Sequence, residues 1–444
     1  MSSDLTQGCI KNHLRSIAIP SSIGYFFHTM FNVTDTYFAG DISTQAVASL
    51  SLTSSIFFIV IAIAGGMSQG LTALLGNAIG QKDIVHAKQI IFHAGILALF
   101  LSIILTIIGL ISAPHLIVLL KADGQYLEEA LAYVNIILLG AIFYVGVFFS
   151  NAILNSIGNT IVFRNFLISG FLLNILFDFW FVKGGLGIAP LSVKGIAYAT
   201  IIVECFGMAY LLYNVKKTYL LKDLPKFKFD IDIIVSFFKQ GFPPTMNMSL
   251  MAFGTFILTY FIASFGQHAI AGYGIAIRIE QIVLLPSIGI NVAVLAIVSQ
   301  NNGAGLFDRI RQTMQYAQKV GLMLWIIGMF FIFAFGEFMI SFFSKDPLVI
   351  DAAMSYLIAA GISLYGYVLV FINVSLLQGI KKPSLIIYLS LFRQLIIPTI
   401  LFSIFSFYKL ALGYYWFGLA LTVWSSALFI LWYAKRKLQE LDPI

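Results

Sequence analysis

Between Asp41 and Lys82, and again between Lys88 and Lys121, the chain runs without a single Asp, Glu, Lys or Arg. Each run is longer than the ~20 apolar residues that carry an α-helix across the hydrocarbon core of a bilayer. Backbone placed there must satisfy its own N–H and C=O groups, which restricts these segments to helices. The chain as a whole is 60% hydrophobic and 10% charged. Soluble domains carry roughly 25% charged residues, so a water-soluble enzyme is excluded.

Apolar runs bounded by charge or by Gly and Pro fall at 14–37, 46–79, 88–113, 127–156, 161–182, 191–214, 234–264, 269–299, 313–336, 350–378, 384–407 and 413–434. The pattern predicts an all-α membrane protein with twelve transmembrane helices. The first run follows Lys11 and Arg15, is too long for a signal-peptide core and shows no small-residue cleavage site, so it reads as a retained helix. With the N-terminus inside, most basic residues fall on inner connections, among them Lys82, Lys88, Arg164, Lys216, Lys217, Lys222, Lys226, Arg309, Lys381 and Lys435. Only Lys121, Lys183, Lys194, Lys345 and Lys409 fall outside, while Arg278 and Arg393 sit within spans. That bias places both termini in the cytoplasm. The net charge of +7 is thereby explained by topology, with no nucleic-acid partner. Cys9 and Cys205 lie far apart without a CxxC or His-rich neighbour, which argues against a disulfide framework or a zinc site.

The polar stretch from Lys216 to Asp232 divides the spans into two groups of six. The expected organisation is an N-terminal six-helix lobe over 1–215, a cytoplasmic linker over 216–233 and a C-terminal six-helix lobe over 234–444. At one constant offset Ile19-Pro20-Ser21 matches Phe242-Pro243-Pro244, and Thr36-Tyr37-Phe38 matches Thr259-Tyr260-Phe261. The same offset pairs Gly80 with Gly303, Tyr133 with Tyr356 and Gly195 with Gly418. Six spans per half make the repeat parallel, with a pseudo-two-fold axis along the membrane normal, an organisation that favours a transporter.

The repeat fails where chemistry is expected. Asp35 pairs with Leu258, Asp178 with Leu401 and Asn174 with Ile397. A charged side chain at membrane depth costs about 2.5–3.5 kcal/mol on insertion scales, so Asp35 and Asp178 are functional candidates. Measured from the inner ends of their spans they rise roughly 31 and 26 Å, into one outer-half layer. Asn174 lies one turn before Asp178 on the same face, and Thr200 descends into the same layer. Two carboxylates, an amide and a hydroxyl make an oxygen-rich site for H⁺ or Na⁺; carboxylates that approach closely favour holding a proton. The bland alternative leaves both aspartates solvated at the outer boundary. Pro20, in the first span about 22 Å below Asp35, is either a hinge or a static bend, and Pro243 repeats it.

These residues resemble the multidrug and toxic compound extrusion (MATE) family over nearly the whole chain. The resemblance rests on Ile19-Pro20 through Asp35-Thr36-Tyr37-Phe38-Ala39-Gly40, on Gly70 to Gly80, and on Gln300-Asn301-Asn302-Gly303-Ala304-Gly305. It continues through Asn151-Ala152-Ile153-Leu154, Leu173-Asn174-Ile175-Leu176-Phe177-Asp178 and Gly195-Ile196-Ala197-Tyr198-Ala199-Thr200. It implies two pseudo-symmetric six-helix lobes around a V-shaped cavity. It also implies antiport of amphipathic, usually cationic, compounds against H⁺ or Na⁺ by alternating access, with no other cofactor. By position, Asp35, Asn174, Asp178 and Thr200 would form the coupling-cation network, Na⁺ being held at Asp35 and Asp178 if it is the ion. Asn151 is a weaker addition, because its depth lies nearer the cytoplasm, and Pro20 would be the hinge. The acids that the NorM branch carries on its seventh and tenth helices have no equivalent here, since 241–264 and 352–378 contain no Asp or Glu. The resemblance is therefore to the DinF-like branch, with coupling in the first lobe. Phe179 stands where a proline often follows the fifth-helix aspartate.

Arg278 and Glu280 are two residues apart and do not face each other. Glu280 is a candidate cavity residue or, equally, a structural hydrogen-bond acceptor, and Tyr37 and Met246 are further cavity candidates. Arg393 is expected to snorkel or cap carbonyls, and His28 to be a buried neutral imidazole. Glu204 either extends the polar face of Thr200 one turn inward or meets an interhelical hydroxyl. Gly184-Gly185-Leu186-Gly187 has no strand or basic partner and is no phosphate loop. The sequence thus predicts a cation-coupled exporter, working as a monomer among membrane lipids in a bacterial inner membrane. The alternative is a flippase for lipid-linked saccharide precursors, which would want more basic residues than Arg278 and Arg393. An intramembrane enzyme finds no HExxH, paired GxGD or Ser/His arrangement to support it.

Overall fold

The structure, a computed structural model, describes residues 4–119, 124–185, 187–222 and 228–441. Lys121, Lys226, Leu186 and positions 223–227 of the expected linker lie outside the described residues. The helices are α1 (Ile10–Ile42), α2 (Thr44–Gly80), α3 (Ile84–Leu119), α4 (Gly124–Leu139), α5 (Ala141–Ser156), α6 (Ile161–Lys183) and α7 (Val193–Lys216). They continue with α8 (Ile231–Ala263), α9 (Gln267–Gly303), α10 (Phe307–Ser341), α11 (Pro347–Gly379), α12 (Ser384–Leu391), α13 (Ile397–Phe407) and α14 (Leu412–Leu441). Ten spans among the described residues are long and apolar enough to cross a membrane, α12 and α13 counting as one, and α4 with α5 makes an eleventh. α1, at 33 residues, has the length of a further span. Ser, Thr, Asn and Asp along it lower its hydropathy. The protein is an all-α integral membrane protein.

Local chemistry sets the ends. Ser43 caps α2 by accepting the Ala46 N–H at 3.0 Å, and Asp346 caps α11 by accepting the Leu348 N–H at 2.9 Å, with Pro347 in the first turn. The repeat recurs in the backbone itself. Lys82 (φ 61°) and its counterpart Gly305 (φ 70°) turn the chain after α2 and α9; Gly158 (φ 73°) and its counterpart Lys381 (φ 58°) do so after α5 and α11.

Two expected spans are broken. The run 127–156 is bent by 45° between α4 and α5. Gly140 sits at the bend, where a Cβ would run into the Ile201 side chain. The run 384–407 contains a π turn at Phe392–Ile396, just before Pro398. Proline lacks the N–H that would bond the carbonyl four residues back and crowds that carbonyl, so the helix widens there.

The chain forms two compact units, one of Ile23–Gly241 and one combining Asp4–Ser22 with Phe242–Ile444. The sequence division at 215 followed chain order, whereas α1 as far as Ser22 belongs to the second unit and α8 is assigned to the first as far as Gly241. The first unit is built on residues such as Leu71, Leu75, Leu154, Val203 and Phe237. Within it a Cβ on Gly70 would lie 2.5 Å from the Gly241 backbone nitrogen, so α2 and α8 pack backbone to backbone. Gly70→Val is expected to lower stability by about 1–3 kcal/mol through overpacking, read as an earlier thermal unfolding midpoint in detergent. An unchanged midpoint would contradict this close approach.

The second unit packs Leu14, Ile17, Ile297, Leu376 and Ile430. Its leading segment is gripped by the residues that carry the Gln300–Gly305 resemblance. Leu5 is fully buried, its N–H donates to Gln300 Oε1 at 3.0 Å, and its carbonyl accepts from Asn301 Nδ2 at 3.1 Å. Arg309 donates to Asn301 Oδ1 at 2.9 Å and to the carbonyls of Leu5, Gln7 and Gly8. Charge-assisted bonds of this kind contribute about 1.5–3 kcal/mol each. Arg309→Ala should therefore expose the segment before α1 to limited proteolysis well before the remainder of the chain is cut; wild-type resistance would contradict that grip.

Candidate functional site

Asn174 and Asp178 stand one turn apart on α6, so their side chains project from one face. Both are completely buried, while Asp35 on α1 and Thr200 on α7 are each 8% exposed. All four lie in the first unit. Asn174 joins the two acids: its Nδ2 donates to Asp35 Oδ1 at 2.8 Å and to Asp178 Oδ2 at 2.6 Å. Thr200 Oγ1 donates to the Ile196 carbonyl at 2.9 Å and reaches Asp35 Oδ2 at 3.4 Å. The carboxyl groups of Asp35 and Asp178 are within hydrogen-bonding reach of each other when one carries a proton. Asp178 Oδ1 and Asn174 Oδ1 are buried oxygens without a hydrogen-bond donor.

Among the described residues no Lys, Arg or His pairs with either acid. Lys183 pairs with Asp41 at 2.5 Å, an exposed link between the ends of α1 and α6. Two buried carboxylates without a counter-charge cannot both remain ionised, because their desolvation and mutual repulsion are uncompensated. A proton or a small cation would supply the missing charge. Its free oxygens are acceptors only, which suits either one. No group of three or more His, Cys, Asp or Glu with metal-holding geometry occurs among the described residues.

Other candidates fall elsewhere. Asn151, on α5, is buried but has no hydrogen bond to the four residues above, and its Oδ1 lacks a donor. Tyr37 is 68% exposed and Met246 half-buried. Pro20 lies within α1, in the portion assigned to the second unit. Glu280 is buried and accepts from the Tyr356 hydroxyl at 2.6 Å, the geometry of the hydrogen-bonding alternative, while Arg278 is exposed. Arg393 does not snorkel. It is 5% exposed, on the π turn, with its guanidinium 5.8 Å from the Tyr367 ring centre. His28, expected to be buried, is half-buried beside Tyr25. Tyr133, which the repeat pairs with Tyr356, and Tyr144 are also buried, in electrostatic reach of the acids. The available signal was a phenol within an otherwise apolar run.

A family model described as MatE matches residues 20–180 and 243–403. The chain belongs to the MatE family. The two matched segments begin at Pro20 and Pro243, the residues that the internal repeat pairs. Members of this family are membrane transporters and not enzymes. Among similar proteins, "Probable multidrug resistance protein NorM" of Thermotoga maritima is 26% identical over 349 residues, covering 77% of this chain and 74% of the relative. "Multidrug export protein MepA" of Staphylococcus saprophyticus is 25% identical over 415 residues, covering 92% and 88%. A solved MOP superfamily transporter from Pyrococcus furiosus shares the fold with a TM-score of 0.93 at 23% identity, over 99% of this chain and 98% of that one. An outward-facing multidrug resistance MATE transporter gives a TM-score of 0.91, also at 23% identity over 99% and 98%.

Proposed function

We propose that this MatE protein is a cation-coupled antiporter that exports amphipathic, cationic organic compounds by alternating access. The observation that carries the reading is the buried Asp35–Asn174–Asp178 cluster, which has no basic partner among the described residues and is suited to exchanging a small positive ion. Relatives named for multidrug resistance and multidrug export support the substrate class. The lack of Asp and Glu over 241–264 and 352–378 supports coupling in the first unit, as in the DinF-like branch. H⁺ and Na⁺ both fit the acceptor set. The distribution of basic residues supports cytoplasmic termini.

The cycle then needs only competition. An ion bound at Asp35 and Asp178 neutralises the pair, and its departure leaves charge that favours a cationic substrate, so ion and substrate load in alternation. Inverted vesicles carrying the protein test this, with ΔpH and ΔNa⁺ imposed separately and ethidium accumulation recorded. One gradient is expected to drive accumulation and its collapse to abolish it; accumulation indifferent to both gradients would overturn the reading.

A further inference from the structure

Below the aspartate cluster the first unit holds further buried polar groups that the proposed cycle does not use. Glu204 lies on α7, one turn beyond Thr200 toward the lysine-bearing end of the helix at Lys216, and on the same face. It is 7% exposed, and its Oε2 has no hydrogen-bond donor. Tyr144 on α5 is 3% exposed, and its hydroxyl likewise has no partner. Asn151, two turns further along that face of α5, is 5% exposed with an unpartnered Oδ1. Tyr144 is in electrostatic reach of Glu204, of Tyr133 and of Asp35, and Tyr133 is in reach of Asp35 and Asp178.

We propose that Glu204 and Tyr144 form a second proton-holding station in the first unit, hydrated and joined to the Asp35–Asp178 site through Tyr133. Native proteins leave few buried polar atoms unsatisfied, and those that remain mark water or an ion. Here the unpartnered atoms of Asp178, Asn174, Tyr144, Glu204 and Asn151 share one unit and lie on α5, α6 and α7. A buried carboxylate without a cation is untenable, so Glu204 is neutral or surrounded by water. The titratable groups in electrostatic reach of Tyr144 and Tyr133 are Glu204 from α7, Asp178 from α6 and Asp35 from α1. Among the described residues no Lys, Arg or His pairs with Glu204. A proton released by the upper pair passes through water and the tyrosine hydroxyls to ionised Glu204. The pair gains the negative charge that Glu204 loses, and each hydroxyl gives up one proton as it receives another.

The inference rests on the antiport reading for its purpose but not for its test. Infrared difference spectra of the purified protein on a pH step should show a protonated-carboxyl band that Glu204→Gln removes and Glu204→Asp restores at a shifted position. An identical band in Glu204→Gln would overturn the proposal, whether or not transport is ion-coupled. In proteoliposomes driven by ΔpH, Glu204→Gln and Tyr144→Phe should each slow ethidium transport about tenfold and flatten its pH profile. Ethidium binding by the detergent-solubilised protein should stay within about twofold of wild type. Tyr144→Phe keeps the ring and its packing, so a wild-type rate and pH profile in that variant also counts against the station. Should the wild type itself ignore both ΔpH and ΔNa⁺ while the Glu204 band is present, the antiport reading fails and the station stands.

Discussion

Asp35→Asn and Asp178→Asn should each reduce ion-driven efflux of ethidium about 5- to 150-fold, the span that a coupling free energy of about 1–3 kcal/mol allows. The reasoning is electrostatic. The cluster works by gaining and losing one positive charge, and an amide at either position fixes that charge. Asn174 already donates to both acids, at 2.8 and 2.6 Å, so a neutral side chain of nearly the same shape keeps the packing intact. Protein level and thermal stability should therefore match wild type or exceed it, since one buried charge has been removed. Equal efflux by both variants and wild type, at equal protein levels, would remove Asp35 and Asp178 from the mechanism.

Asn174→Ala is expected to act in the opposite sense on stability and in the same sense on transport. Among the described residues the amide is the one side chain that bonds both carboxyl groups, and it is fully buried. Removing it leaves Asp35 Oδ1 and Asp178 Oδ2 without that donor and opens a cavity between them. The cost of a buried polar group left unsatisfied is about 1–3 kcal/mol. Thermal unfolding should begin at lower temperature, and efflux should fall about tenfold because the two carboxyl groups lose their fixed separation. The two effects separate in Asn174→Asp. A third carboxyl replaces the amide's donors, packing volume is retained, and transport should be lost more completely than in Asn174→Ala. If Asn174→Ala unfolds and transports like wild type, the amide has no positioning role.

The four-residue cluster was legible in the sequence because intramembrane carboxylates are scarce and helix rise converts chain position into depth. Asp35, Asn174, Asp178 and Thr200 fell into one layer by that arithmetic, and they meet in the structure. Asn151 did not join them, as its depth suggested. What escaped was information that a hydropathy run does not contain. A long apolar stretch has the same composition straight or bent, so the 45° break at Gly140 and the π turn at Phe392–Ile396 were invisible, although Pro398 was a clue to the second. Arg393 was expected to snorkel or to cap carbonyls; it does not snorkel but lies buried on the widened turn, 5.8 Å from the Tyr367 ring centre. Chain order also hides packing partners. Nothing in residues 4–22 announces that they pack in the second unit, and the grip of Gln300, Asn301 and Arg309 on Leu5 becomes visible only in three dimensions.

The central claim is tested most directly by binding ethidium to the purified protein in buffers of differing ionisation enthalpy, with and without Na⁺. Calorimetry then counts the ions displaced. The account predicts release of about one H⁺ or one Na⁺ per ethidium bound by the wild type and none by the Asp35→Asn, Asp178→Asn double variant. Ethidium binding without ion release in the wild type, or with undiminished release in the double variant, would contradict it.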